Sequence, residues 1–135
     1  MDVGIGQKAT RRLVVTAEMV AAYAEITRDY NPLHFDPEFA GRTRFKRLMA
    51  QGGITTGLLH ALVPMDMPGP GSVFVSQEWH FPRPVYIGDS ITAEATVTSV
   101  DGERGRATME FIVTNQSGEE VLRGSASVFQ ARPRG

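Results

Sequence analysis

A chain of 135 residues has room for one domain, 1–135, built on one sizeable core. Its 14 Lys and Arg against 15 Asp and Glu leave a net charge of −1, so there is no electrostatic ground for a nucleic-acid partner. The complete absence of cysteine excludes disulfides, thiolate nucleophiles and zinc–cysteine sites. The composition, 41% hydrophobic and 21% charged, is that of an ordinary soluble globular protein, with no stretch apolar enough for a membrane helix. The first residues, Met1 to Gln7, lack the basic start and apolar run of a secretory signal, and a cytoplasmic location is the expectation.

In chain order, Leu13, Val14 and Val15 suggest a first strand. Thr16 then offers an N-cap, with Glu18 favourably placed in the first turn of a helix. Met19, Tyr23 and Ile26, with Val20 alongside, recur at helical spacing and predict an amphipathic helix to about Thr27. A short turn of helix is expected after Pro37. From Gly52 to Val63 the chain is apolar on nearly every face before Pro64, which predicts a buried central helix stopped by the proline. Gly57 inside it costs about 1 kcal/mol of helix propensity relative to alanine, so close approach by another backbone or a ligand is expected there.

After Met67-Pro68-Gly69-Pro70-Gly71 the pattern changes to period two. Val73, Val75, Gln77, Trp79 and Phe81 share one face; Ile91, Ala93, Ala95 and Val97 another; Ala107, Met109, Phe111 and Val113 a third; Leu122, Gly124, Ala126 and Val128 a fourth. Turn signals at Gly88-Asp89, Asp101-Gly102 and Ser117-Gly118 link them into an antiparallel meander. An apolar helix must be enclosed, and four or five twisted strands curling about it give an α+β domain.

The segment with most chemistry is Asp29-Tyr30-Asn31-Pro32-Leu33-His34-Phe35-Asp36. A carboxylate and an imidazole flank a proline that holds Asn31 out of the helical region, on irregular backbone of the kind that carries function. Asp29 and His34 can act as an acid/base pair, or as turn and loop residues. Asn31 can shape the turn, and Tyr23 is most simply a core residue of the amphipathic helix.

These motifs, together with Gly52-Gly53, Leu58-Leu59, Met67 to Ser72 and Pro84-Val85-Tyr86-Ile87-Gly88-Asp89, resemble the MaoC-like family of hotdog-fold enzymes, which includes R-specific enoyl-CoA hydratases and acyl dehydratases. The Asp-x-Asn-Pro-Leu-His core is the most specific part, and the resemblance runs over nearly the whole chain. It implies an antiparallel sheet wrapped around a central helix, and reversible hydration of trans-2-enoyl thioesters to (R)-3-hydroxyacyl thioesters. Asp29 and His34 then hold one water between them, and the Gly52 N–H at the start of the buried helix stabilises the enolate-like thioester oxygen. Asn31, Tyr23, Gly53, Gly57 and His60 are the candidate substrate-binding residues. No redox cofactor is needed, since hydration moves no electrons overall; coenzyme A enters only as part of the substrate, and an acyl carrier protein is the other possible carrier. The family also implies a homodimer or higher oligomer, with sheets joined edge to edge.

The departures from the family pattern are local. Arg28 stands where the signature often has glycine, and the helix presents Thr55 and Thr56, then His60 one turn later, where relatives carry small hydroxyl residues. His60 either replaces the hydroxyl near Asp29 or is a hydrogen-bonded core histidine. His80 belongs to the surface or an interface, and no two histidines have metal-ligand spacing. Arg42, Arg44, Lys46 and Arg47, or equally Arg83, meet coenzyme A phosphates or are simply solvated. A hotdog thioesterase is the rival enzyme, but from Gly52 to Met65 there is no Asp or Glu of the kind that chemistry uses. A non-catalytic acyl-thioester-binding or structural subunit is the rival outside enzymes, opposed by the presence of both Asp29 and His34.

Overall fold

A computed structural model describes residues 1–133. Its elements run β1 (Lys8–Val14), α1 (Ala17–Thr27), α2 (Pro32–Phe35), α3 (Pro37–Gly41), α4 (Gly52–Met65), β2 (Ser72–His80), β3 (Ser90–Asp101), β4 (Arg106–Thr114) and β5 (Glu120–Gln130). The five strands form one antiparallel sheet in the order β1-β3-β4-β5-β2. The meander is therefore β3-β4-β5 alone. The expectation that the strand after Ser72 leads it is corrected, because β2 crosses to the far edge and pairs with β5.

The period-two pattern reads out directly in three strands. Ile91, Ala93, Ala95 and Val97 of β3, Ala107, Met109, Phe111 and Val113 of β4, and Leu122, Ala126 and Val128 of β5 are all buried. In β2 the single-face assignment fails: the register slips between Phe74 and Ser76, and the inward phase changes there. Val73 and Val75 are consequently 55% and 47% exposed, while Phe74 and Trp79 turn inward onto Phe111, with ring centroids 6.3 Å and 5.3 Å away. β1 is also longer than its apolar core of Leu13 to Val15 implied, since an edge strand pairing with β3 tolerates polar alternate residues.

Against this sheet lies α4, burying Ile54, Thr55, Leu58, Leu59, Leu62 and Val63. Pro64 does not stop it; the helix runs to Met65 with the proline in its last turn, which leaves the His60 carbonyl without its i+4 donor and ends the helix one residue later. Nor is it enclosed on all sides within this chain, because Gly52, Gly57, His60 and Met65 face outward. Glycine counted as apolar in the sequence pattern but brings no side chain to bury. α1 is capped as expected, with Thr16 Oγ1 accepting from Met19 N at 3.2 Å. Its buried stripe is Val20 and Ala24, and Ile26 is 82% exposed. Six residues beyond Val20 places Ile26 about 240° round the helix, off the stripe. No helix among the described residues is long and apolar enough to cross a membrane.

Candidate active site

The site is built on the irregular segment between α1 and α4. Arg28 ends α1 in the left-handed conformation, φ 65°, and its N–H donates back to Ala24 O at 2.7 Å. This accounts for the glycine preference noted at that position, since a Cβ is disfavoured there. Asp29 follows and accepts Asn31 N on Oδ1 at 3.2 Å. Asn31 in turn caps α2, its Oδ1 accepting Leu33 N at 3.1 Å, and Pro32 occupies the first helical position. Asn31 thus fixes the turn, and His34 lies on a helical turn, not on loop, with only 6% of its surface exposed.

His34 is fastened from one side by Met49. The Met49 N–H donates to Leu33 O at 3.1 Å, and the His34 Nδ1–H donates to Met49 O at 2.6 Å. Ala50 N to Val85 O at 2.7 Å and a bridge between Met49 and Tyr86 tie the same stretch to the chain before β3. With Nδ1 committed as a donor, neutral His34 carries its lone pair on Nε2. Nε2 faces Asp29 Oδ2 at 3.9 Å. That separation is too long for a direct hydrogen bond and suits two acceptors receiving the two O–H groups of one water. The imidazole is buried and immobile, whereas the Asp29 side chain is 45% exposed at the solvent edge.

The amino end of α4 lies next to the Met49-Ala50 stretch. Gln51 is its N-cap residue but makes no side-chain cap; its buried amide instead donates to Val20 O at 3.0 Å, fastening α1 to the start of α4. The first N–H groups of the helix, at Gly52 and Gly53, have no intrahelical acceptor and stand at its positive dipole end. A cleft of about 270 Å³ opens beside Gly52, walled by Phe45, Met49, Thr55, Phe81 and Val85. Asp29 and His34 are not in its lining. The connection is Met49, which borders the cleft and holds His34.

Tyr23 and Gly53 meet. A Cβ on Gly53 would sit 1.7 Å from the Tyr23 hydroxyl oxygen, so a side chain here would have to displace the ring packed over it. Two other candidates are not brought to this place. Gly57 faces open space: a Cβ there would find nothing within 4 Å, so the expected close approach is not made by any backbone among the described residues. His60 neither approaches Asp29 as a hydrogen-bond partner nor lies in the core: it is exposed, pairs with Gln77 Oε1 at 2.9 Å, and stacks on Phe74. His80 is exposed, as expected. Among the described residues no group of three or more His, Cys, Asp or Glu is placed to hold a metal. Met49 and Gln51 carry no signal in the sequence, the first because it acts through its backbone, the second because a lone glutamine makes no pattern.

The family model described as the MaoC like domain matches residues 2–121. The chain belongs to the MaoC-like domain family. It is 37% identical over 124 residues to the (R)-specific enoyl-CoA hydratase of Aeromonas caviae, covering 92% of each sequence. It is 38% identical over 121 residues to the 3-hydroxybutyryl-CoA dehydratase of Methylorubrum extorquens, covering 90% of this chain and 76% of that one. The solved structure of the (R)-hydratase from A. caviae involved in PHA biosynthesis superimposes with a TM-score of 0.91 at 35% identity, over 96% of this chain and 98% of that chain. The sheet curled on α4 is the hotdog fold.

Proposed function

We propose that this MaoC-like protein is a hydro-lyase that reversibly hydrates trans-2-enoyl-CoA thioesters to (R)-3-hydroxyacyl-CoA, with Asp29 and His34 activating the water. The observation that carries the reading is the pairing of His34 Nε2 with Asp29 Oδ2 across 3.9 Å while Nδ1 is held by Met49 O. A water donating to both acceptors turns its own lone pair outward, toward C3 of a bound enoyl group. As that bond forms, the pair takes one proton from the water and supplies one to C2; the carboxylate stabilises the imidazolium in between. The thioester oxygen gains charge in the same step and is received by the Gly52 N–H at the positive end of α4. Asn31 shapes the turn that presents His34, and Tyr23 over Gly53 shapes the helix end. Hydration conserves oxidation state, so the reaction proceeds on these groups without a cofactor.

The proposal extends to the assembly. The domain forms a homodimer: β1 and β2 each leave an edge without a partner strand among the described residues, and α4 leaves one face outward, with Met65 67% exposed. Static light scattering at micromolar concentration is expected to give the mass of two chains, and the mass of one would refute it. A cytoplasmic setting is part of the proposal, supported by the cysteine-free composition.

The test of function is loss of the enoyl-thioester absorbance on crotonyl-CoA, run beside a thiol-release assay. Hydration without thiol release is the expected result. Thiol release without hydration makes the protein a thioesterase, and neither activity on any enoyl thioester makes it a binding subunit.

A further inference from the structure

The cleft beside Gly52 does not end at its apolar walls. It adjoins a second cleft of about 280 Å³, and the two share Arg83 and Pro84 in their linings. Where the first is walled mainly by Phe45, Phe81 and Val85, the second is polar, with Arg47, Arg83, Asn115, Gln116 and Ser117 around it. We propose, resting on the enoyl-thioester reading above, that the second cleft binds the phosphate of the substrate's phosphopantetheine arm through Arg47 and Arg83, while the first carries the arm to Gly52.

Cationic donors in the polar cleft outnumber the acceptors left to them. Two carboxylates line it, Asp89 and Glu119, and all four of their oxygens are occupied. Asp89 accepts from Tyr86 N at 2.9 Å and from Gln116 Nε2 at 3.0 Å. Glu119 accepts from Asn115 Nδ2 at 3.1 Å and pairs with Arg83 Nε at 3.5 Å. Arg83 also donates from Nη1 to Glu120 O at 3.1 Å, so its guanidinium is oriented, with Nη2 left uncommitted. Arg47 has no acidic partner among the described residues. Its guanidinium carbon lies 3.9 Å from the centroid of the Tyr86 ring, and Tyr86 is fixed by its hydroxyl donating to Phe45 O at 2.8 Å. A guanidinium held over the face of a fixed ring keeps N–H groups available for a phosphate oxygen pair. Arg44, in the lining of the first cleft, adds a further cation without an acidic partner among the described residues.

An acyl thioester on coenzyme A and one on a carrier protein share this arm and its 4′-phosphate, so the ligand chemistry has two sources. Calorimetric titration with saturated thioesters reads binding without turnover. The ligands are S-butyryl-CoA, S-butyryl-pantetheine 4′-phosphate, S-butyryl-pantetheine and a carrier protein bearing the S-butyryl arm. Adding the 4′-phosphate is expected to tighten binding to the parent about tenfold or more. Arg47→Ala and Arg83→Ala should each weaken the phosphorylated ligands about tenfold and leave S-butyryl-pantetheine unchanged, with Arg47→Lys recovering part of the loss. Equal affinity of the parent for the phosphorylated and unphosphorylated pantetheine thioesters overturns the proposal. So does an equal loss for all ligands in the variants at unchanged unfolding midpoints, which makes the arginines structural. An advantage seen with CoA alone moves the contact to the nucleotide phosphates and also overturns the assignment. Carrier-protein binding as tight as CoA assigns both sources to the site; markedly weaker binding assigns CoA. A parent that binds with the phosphate preference yet hydrates nothing defeats the hydratase reading and leaves this one standing.

Discussion

In β3, β4 and β5 nearly every second residue is an apolar side chain turned onto α4, and the ladder satisfies the backbone between them. Between Arg28 and Ala50 the chain is held differently. Asp29, Asn31 and Asp36 each accept a backbone N–H two residues on, His34 donates to Met49 O, and Arg28 bends the chain through a left-handed residue. The sheet gains its stability from burial of many interchangeable contacts, whereas the segment proposed to carry the chemistry gains its geometry from a few hydrogen bonds that have no substitutes. Mutations in the first should therefore lower stability at constant chemistry, and mutations in the second should lower chemistry at modest cost in stability.

The largest effect should come from the sheet. Phe111 is 1% exposed and packs on Phe74 and Trp79, and Phe111→Ala is expected to cost about 3–5 kcal/mol of unfolding free energy. Denaturant titration measures it, and turnover per folded molecule should stay near the parent's. On the other side, Asp29→Asn and His34→Ala should each slow hydration by at least about a hundredfold. On the proposed mechanism, in which the two act on one water as a unit, the double variant should be little slower than the slower single; multiplied losses would break that picture. Asp29→Asn should hardly move the midpoint, while His34→Ala, by leaving the half-buried carbonyl of Met49 without its donor, should cost about 1–3 kcal/mol.

Two smaller changes sharpen the contrast. Asn31→Ala removes the α2 cap and should cost about 1 kcal/mol, or about 4 °C in Tm. Its loss of turnover should be proportionately greater, because the cap sets where His34 points. Arg28→Gly should do the reverse and raise stability by about 0.5–1 kcal/mol, relieving the left-handed residue; its pair with Glu25 is exposed and contributes little. Thermal melts of a midpoint unchanged or lower would show that Arg28 is compensated elsewhere.

What was legible in the sequence follows the same division. Strict alternation fixes which residues of β3 to β5 face the core, because a slip of one would turn a whole strand over. The bulge at Val75 was not legible, since Val73-Phe74-Val75 is apolar at each position and accepts either phase. Strand order was hidden for a related reason: Gly88-Asp89 reads as a turn between neighbours, and nothing local says that β2 pairs with the last strand of the chain. The Asp29/His34 pair was visible as side chains at a meaningful spacing. Met49, Gln51 and the two clefts were not, because a carbonyl acceptor, a lone amide and a wall of scattered residues exist only once the chain has folded.

The contact between Tyr23 and Gly53 constrains how this sequence can change over time. Because the ring of one occupies the side-chain position of the other, residue 53 cannot gain a side chain while the ring keeps its place. A residue larger than glycine at 53 needs the ring to move out of its place or to be replaced by a shorter side chain at 23. The easier order of substitution follows: first the ring is lost from α1, then the side chain appears on α4. A lineage that keeps the ring in place keeps the glycine with it, and with the glycine the amino end of the helix that the proposed mechanism sets against a thioester oxygen.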